Sequence, residues 1–267
     1  MTGKQDMDKL LLCIDVGNTQ TVLGTFRGWE ITDRWRIRSD RGRTADEYGH
    51  LIKDLLRGSG CDSDSLAGIV VSCVVPPARQ ALIEMSKTGF NMEPLVIGPG
   101  IKTGMPILYD NPKEVGADRI ANTVAAFERY KKALIVIDFG TAITFDVVSA
   151  NGEYVGGVIF PGIQISLDAL FLKASKLPRV ELEMPKNVIG KNTINSIQSG
   201  IIHGYACLVD SLVDRISREM NDSPYVVATG GLSSVLAGES RSIKEVLPDL
   251  TLEGLRILYE RNLPSGS

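Results

Sequence analysis

A short pattern that occurs twice constrains this chain more than any other feature. Residues 13–22 read CIDVGNTQTV and residues 136–145 read VIDFGTAITF, with Ile, Asp, Gly and Thr recurring in the same places. Each copy follows an apolar run, Leu10 to Ile14 and Ala133 to Ile137, with the composition of a buried strand. Each then reaches an Asp, turns through Gly and resumes as a second strand over Thr21 to Phe26 and Thr144 to Val148. The pattern predicts two hairpins with acidic, hydroxyl-bearing tips.

Beyond each hairpin we expect a helical stretch and then a further apolar strand, Gly68 to Val75 in the first half and Tyr225 to Thr229 in the second. The second of these ends in Gly230-Gly231 and opens into a helix. Two halves of this kind predict an α/β fold with two similar domains facing a cleft, over residues 9–130 and 131–263. The boundary falls near Arg129 to Lys132, after an amphipathic helix of Ala117 to Tyr130 whose Ile120, Val124 and Phe127 share one face. A length of 267 residues suits two such units. Residues 1–8 and 264–267 are expected to be loose ends outside the fold.

Composition removes several function classes. A formal charge of -3, with no clustering of Lys and Arg beside stacking aromatics, gives no footprint for nucleic acid, so a small-molecule partner is expected. Cys13, Cys61, Cys73 and Cys207 are too far apart for a zinc knuckle or a redox pair and read as buried, reduced thiols. Only His50 and His203 are present, which excludes a histidine-rich metal site. The opening residues lack a secretory pattern and no run of about 18 apolar residues occurs, so neither membrane nor export is expected and the cytoplasm is.

The chemistry is expected at three places. Asp15-Val16-Gly17-Asn18-Thr19 stands where a buried strand emerges, so the sheet fixes the carboxylate while Gly17 allows close approach of backbone N–H groups to an anion. Thr19 and Thr21 add hydroxyls, and Asp15 suits a hydrated Mg²⁺ that also takes phosphate oxygens. Turn geometry alone would explain one such copy. The second, Asp138-Phe139-Gly140-Thr141-Ala142, argues for a phosphate clamp with Thr141 aimed from the other wall. The Gly-rich dinucleotide and P-loop patterns are absent. Gly230-Gly231 either lets an adenosine lie against the next helix or is a tight packing turn. In YDNPKEVGADR, residues 109–119, Pro112 and Gly116 set a loop that opens the Ala117 helix. Asp118 is there either as a carboxylate favoured by the helix dipole or as a general base beside the cationic Arg119.

These segments together resemble the type III pantothenate kinases, members of the superfamily of acetate and sugar kinases, Hsp70 and actin. The resemblance is carried by DVGNTQTVLGTF at 15–26, VVSCVVPP at 70–77, YDNPKEVGADRIANTVAAF at 109–127, DFGTAITFDVV from 138, IGKNTINSIQSGI at 189–201 and ATGGL at 228–232. Ile143 departs from the polar Thr common at that position. The resemblance implies a duplicated actin-like (ribonuclease H-like) ATPase fold around a nucleotide cleft. It implies ATP-dependent phosphorylation of pantothenate to 4'-phosphopantothenate, the first step of coenzyme A biosynthesis. The alternatives are another small-molecule kinase or phosphohydrolase of the superfamily, or a nucleotide-switched accessory protein.

Carried onto matching positions, the resemblance implies that Asp15, Val16, Gly17, Asn18, Thr19, Gln20, Thr21 and Val22 bind the ATP phosphates, with Thr141 contacting ATP from the second half. Asp118 is the implied base, and Tyr109, Gly116, Ala117, Asp118 and Arg119 line the pantothenate pocket. Asp15 is implied to stand near Mg²⁺ through water and Asp138 to bind a monovalent cation, K⁺ or NH₄⁺. Thr193 reaches substrate from the neighbouring subunit of an implied homodimer.

Overall fold

The computed structural model describes residues 9–263, so the two expected loose ends lie outside the described residues. The chain begins with β1 (Leu10–Val16), β2 (Gln20–Arg27) and β3 (Glu30–Arg38), then α1 (Ala45–Gly58), β4 (Leu66–Cys73), α2 (Pro76–Phe90) and β5 (Leu95–Val96). A loop with one short 3₁₀ turn at Pro112–Glu114 leads into α3 (Ala117–Tyr130). There follow β6 (Leu134–Phe139), β7 (Ala142–Val148), β8 (Tyr154–Pro161), α4 (Ile163–Lys173), α5 (Thr193–Met220), β9 (Tyr225–Thr229), α6 (Ser233–Ala237) and β10 (Glu245–Val246). The last helix is α7 (Leu250–Asn262).

Two compact units result. The first comprises residues 9–104, 110–125 and 251–263, and the second residues 105–109 and 126–250. Each contains one five-stranded sheet, ordered β3-β2-β1-β4-β5 in the first and β8-β7-β6-β9-β10 in the second. In both, the first three strands in sequence pair antiparallel and the last two join in parallel. This is an α/β fold of two similar sheets flanked by helices, as in a duplicated actin-like ATPase architecture.

The duplication holds, with one strand per half that the sequence reading passed over. Between each hairpin and the next helix lies a third antiparallel strand, β3 or β8, at the sheet edge. In β3, exposed Arg34, Arg36 and Arg38 alternate with the less exposed Trp35 and Ile37, the signature of a strand with one solvated face and a weaker hydrophobic signal than β1 or β6.

Burial explains the layers. In the first unit Leu12, Ile14 and Val16 of β1 and Ile69 and Val71 of β4 face Ile52 and Leu56 of α1 and Leu82 and Met85 of α2. The opposite face of β1 carries Cys13 and Asp15, and α7 supplies Arg256 and Glu260 near Cys13. In the second unit Ile135, Ile137 and Phe139 pack with α4 and α5 through Leu167, Tyr205 and Val209. The helices are signalled locally. Thr44 and Glu47 form a reciprocal capping box on α1, and Asn192 caps α5 by accepting the Asn195 N–H at 2.8 Å. The thiols are partly as expected: Cys13 is buried, Cys61 and Cys73 are intermediate, and Cys207 is exposed on the outer side of α5. Among the described residues no helix is long and apolar enough to cross a membrane.

Candidate active site

In the first unit, Asp15 stands at the C-terminal end of β1 and pairs with Val22 of β2. The Gly17 N–H donates to the Gln20 carbonyl at 3.0 Å and closes the turn, so this N–H is spent inside the hairpin. Asn18, Thr19 and Gln20 form an exposed tip. Ser39, just beyond β3, braces it: its hydroxyl donates to the Gly17 carbonyl at 2.7 Å and its N–H to the Thr19 carbonyl at 3.0 Å. Sequence reasoning gave Ser39 no role, because the bond spans a strand that it had not recognised.

Thr21 differs from the exposed residues of the tip. It pairs with Val16, so alternation places it on the face opposite Asp15. It is fully buried, and its hydroxyl shares a 2.8 Å hydrogen bond with Ser39. Its place in the structure is that of a brace beneath the turn.

The second hairpin repeats this arrangement with one residue fewer. Asp138 pairs with Thr144 and Phe139 with Ile143, whereas the first turn keeps four residues between Val16 and Thr21. The repeat therefore slips by one in its second strand: Thr144 occupies the place of Val22, and Ile143 that of Thr21. Because one step in a strand changes the face, Ile143 is buried in the core, and the apolar residue at this unusual position is what its burial calls for. Thr144 shares the face of Asp138 and donates to Asp146 at 3.1 Å. Asp146, fully buried, also accepts the Tyr154 hydroxyl at 2.8 Å.

Thr141 is at the exposed tip, and its carbonyl accepts the N–H of Gly162, the residue that caps the start of α4. Gly230 follows β9 with φ of +91°, and a Cβ there would stand 2.5 Å from Asp138 Oδ1 and 2.7 Å from the Phe139 backbone. Only glycine lets this segment pass so close to the carboxylate.

Asp118 lies in the first turn of α3, where the helix dipole favours a carboxylate. Its Oδ1 accepts the Arg119 N–H at 2.9 Å, and a Cβ on Gly116 would press to 2.4 Å from the same oxygen. Gly116, Ala117 and Asp118 are partly exposed, while Arg119 is only 7% exposed, a cation taken almost wholly out of water. The preceding loop is held by Asn111, which accepts the Lys113 N–H and donates to Glu114 at 2.8 Å.

The Asp15 turn and Gly116 to Arg119 thus belong to the first unit, and Tyr109, Asp138, Thr141 and Thr193 to the second. Tyr109 lies against Tyr154 with ring centroids 6.2 Å apart, and the chain before it bonds to Tyr154 on both sides: Leu108 N–H to its carbonyl and its N–H to Pro106. Thr193, exposed at the start of α5, lines an open depression of about 600 Å³ together with Leu170, Leu177 and Ile197. Near Asp15, burial pushes the Cys73 thiol upward and the Asp15 carboxylate adds to the shift, so Cys73 stays protonated and is no nucleophile at neutral pH.

Comparison with known proteins agrees over most of the chain. The profile of a family described as type III pantothenate kinase matches residues 11–215. The type III pantothenate kinase of Syntrophotalea carbinolica is 57% identical over 253 residues, covering 95% of this chain and 99% of the relative. That of Geobacter sulfurreducens is 55% identical over the same length, covering 95% and 99%. Among solved structures, a Baf family transcriptional activator from Campylobacter jejuni superposes with a TM-score of 0.57 at 18% identity, covering 94% of this chain and 98% of its own. Component A of (R)-2-hydroxyglutaryl-CoA dehydratase from Acidaminococcus fermentans gives 0.57 at 16%, covering 95% and 99%. At such identities the structural likeness shows the fold alone.

Proposed function

The chain belongs to the type III pantothenate kinase family, and from that premise we propose how its residues carry out the reaction. The enzyme transfers the γ-phosphoryl group of ATP to pantothenate, giving 4'-phosphopantothenate and ADP at the first step of coenzyme A biosynthesis. High identity to the curated relatives over nearly the whole chain carries this conclusion. The residue roles are our reading. They are supported by the placement of Asp15 and Asp138 at equivalent strand ends of two matching sheets.

The exposed tip from Asn18 to Gln20 and, in the second unit, Thr141 bind the phosphates, in a fold of the ribonuclease H-like type with its nucleotide in a cleft. Gly230-Gly231 receives the adenosine. Arg119 pairs with the pantothenate carboxylate, and Tyr109, Gly116, Ala117 and Thr193 complete the pocket. The primary hydroxyl oxygen of pantothenate forms the new bond to the γ-phosphorus as the bond from that phosphorus to the β,γ-bridging oxygen breaks. The hydroxyl proton passes to the Asp118 carboxylate. In a loose transition state this proton leaves late, so the position of Asp118 matters more than its basicity.

Asp15 and Asp138 are single carboxylates at strand ends, and among the described residues no three His, Cys, Asp or Glu side chains converge. That donor set fits cations whose other ligands are water, phosphate or backbone oxygens. Asp15 would hold hydrated Mg²⁺ and Asp138 a K⁺ or NH₄⁺ ion. These ions, when bound with ATP, supply positive charge against the phosphates.

A homodimer accounts for apolar side chains left exposed in the second unit, among them Ile159 of β8 at 62%, Leu172 of α4 at 71% and Ile189 before α5 at 82%. Thr193, close in sequence to Ile189, would then serve the neighbouring subunit's substrate. The cytoplasm, where ATP is available, is the proposed location.

The direct test incubates the purified protein with ATP, Mg²⁺ and K⁺, with and without pantothenate, and detects phosphopantothenate by mass. Pantothenate-dependent product and ADP are expected. ADP release without phosphopantothenate would move the assignment to another acceptor, and equal rates in Na⁺ and K⁺ would remove the role given to Asp138.

A further inference from the structure

We propose that Ser72 is a positioning residue for the nucleotide-bound cation, its hydroxyl and the Asp15 carboxylate holding one water of that cation between them. The inference rests on reading the Asp15 turn as the phosphate site. Three observations carry it. Ser72 is the parallel register partner of Asp15, one strand over in β4, so the two side chains leave the sheet on the same face. That face is the one opposite the cluster formed with α1 and α2, because Ile69, Val71, Ile14 and Val16 all point into the cluster. Ser72 is fully buried, yet its Oγ has no hydrogen-bond partner among the described residues.

A buried hydroxyl left without a partner is costly, and an alanine would fill the same place in β4 without that cost. A water shared with a neighbouring carboxylate satisfies it, since Ser Oγ both donates and accepts. The second unit repeats the pairing. Asp138 is the parallel register partner of Thr229, itself 2% exposed, again at the C-terminal end of the central parallel pair. A hydroxyl beside each turn carboxylate is thus part of the duplicated unit. Residues of the turn itself do not explain Ser72, because the hairpin is closed by Gly17 and Gln20 and braced by Ser39.

The test compares the full chain with its Ser72→Ala, Ser72→Thr and Asp15→Asn variants. ADP binding is titrated calorimetrically with Mg²⁺ and again with EDTA, and melting is followed without nucleotide or metal. Ser72→Ala is expected to weaken ADP binding about 5- to 30-fold with Mg²⁺, the loss of one or two hydrogen bonds, and to leave the EDTA value unchanged. Its metal-free melting temperature should not fall, and Ser72→Thr should restore Mg²⁺-dependent affinity. Asp15→Asn should show the same Mg²⁺-dependent loss. If Asp15→Asn loses affinity while Ser72→Ala binds like the parent, the role of Ser72 is overturned and the phosphate site stands. If neither variant loses affinity, both readings fall. An equal loss in Mg²⁺ and EDTA marks Ser72 as structural and also overturns the proposal.

Discussion

Asp118 is held by short-range geometry. Its Oδ1 accepts the N–H of Arg119, and Gly116 gives it room at the start of α3. Asn in its place keeps an oxygen for that N–H and nearly the same shape, and removes only the proton acceptor. Asp118→Asn should therefore lower kcat by about 10²- to 10⁴-fold while ADP binds as before, measured by steady-state kinetics and calorimetry. A variant close to full activity would exclude Asp118 as the base. At this scale the sequence was informative where a residue acts through its own turn: Asp15, Asp138 and Asp118 all occupy strand ends or helix starts that local pattern announces. It was uninformative where a role depends on a strand-to-strand register. Thr21 looked equivalent to Thr19, yet alternation sends it to the opposite face of the sheet from Asp15.

At the scale of elements, the one-residue difference between the two hairpins shows how far a repeat can be read from letters alone. Ile143 and Thr144 align in sequence with Gln20 and Thr21, but backbone pairing makes them the counterparts of Thr21 and Val22. Only a register can reveal this, because it is set by hydrogen bonds across the pair. Another cross-element link can be tested by pH. On α5, Asp210 accepts the Ser240 hydroxyl at 2.7 Å and the Ser242 N–H at 3.1 Å, fixing the loop after α6. Partial burial pushes its carboxyl upward, but hydrogen bonds from Ser240, Ser242 and Arg241 outweigh this and hold it below the ordinary value. A carboxyl that is more acidic in the folded than the unfolded chain stabilises the fold above the unfolded value of about 3.9. That contribution is lost as pH falls through the lower folded value. The melting temperature of Asp210→Asn should thus lie a few degrees below the parent at pH 7, with the gap closing below about pH 4. A gap independent of pH would show that the carboxylate charge is not what matters.

At the scale of the whole molecule, the exposed apolar side chains of β8, α4 and the segment before α5 predict self-association. Ile159→Lys replaces one of these exposed side chains with a charge without touching the core of its own unit. Sedimentation should show a dimer for the parent and a monomer for the variant, with activity falling in parallel because Thr193 is read as serving the neighbouring subunit. A fully active monomer would remove that assignment. The division of the chain also belongs to this scale. α7, far along in sequence, packs into the first unit, where Thr251 donates to Asn122 at 2.7 Å and Asn262 accepts the Lys102 N–H at 2.9 Å. The sequence by itself determined the duplication, the strand ends that carry Asp15 and Asp138, the helix that carries Asp118 and the family, because each is written in local periodicity and in contiguous residues. The tertiary structure alone decided which face Thr21 takes, the slip in the second hairpin, the bracing by Ser39 and the pairing of Ser72 with Asp15. Those follow from hydrogen-bond register and packing between segments distant in the chain, which no local pattern records.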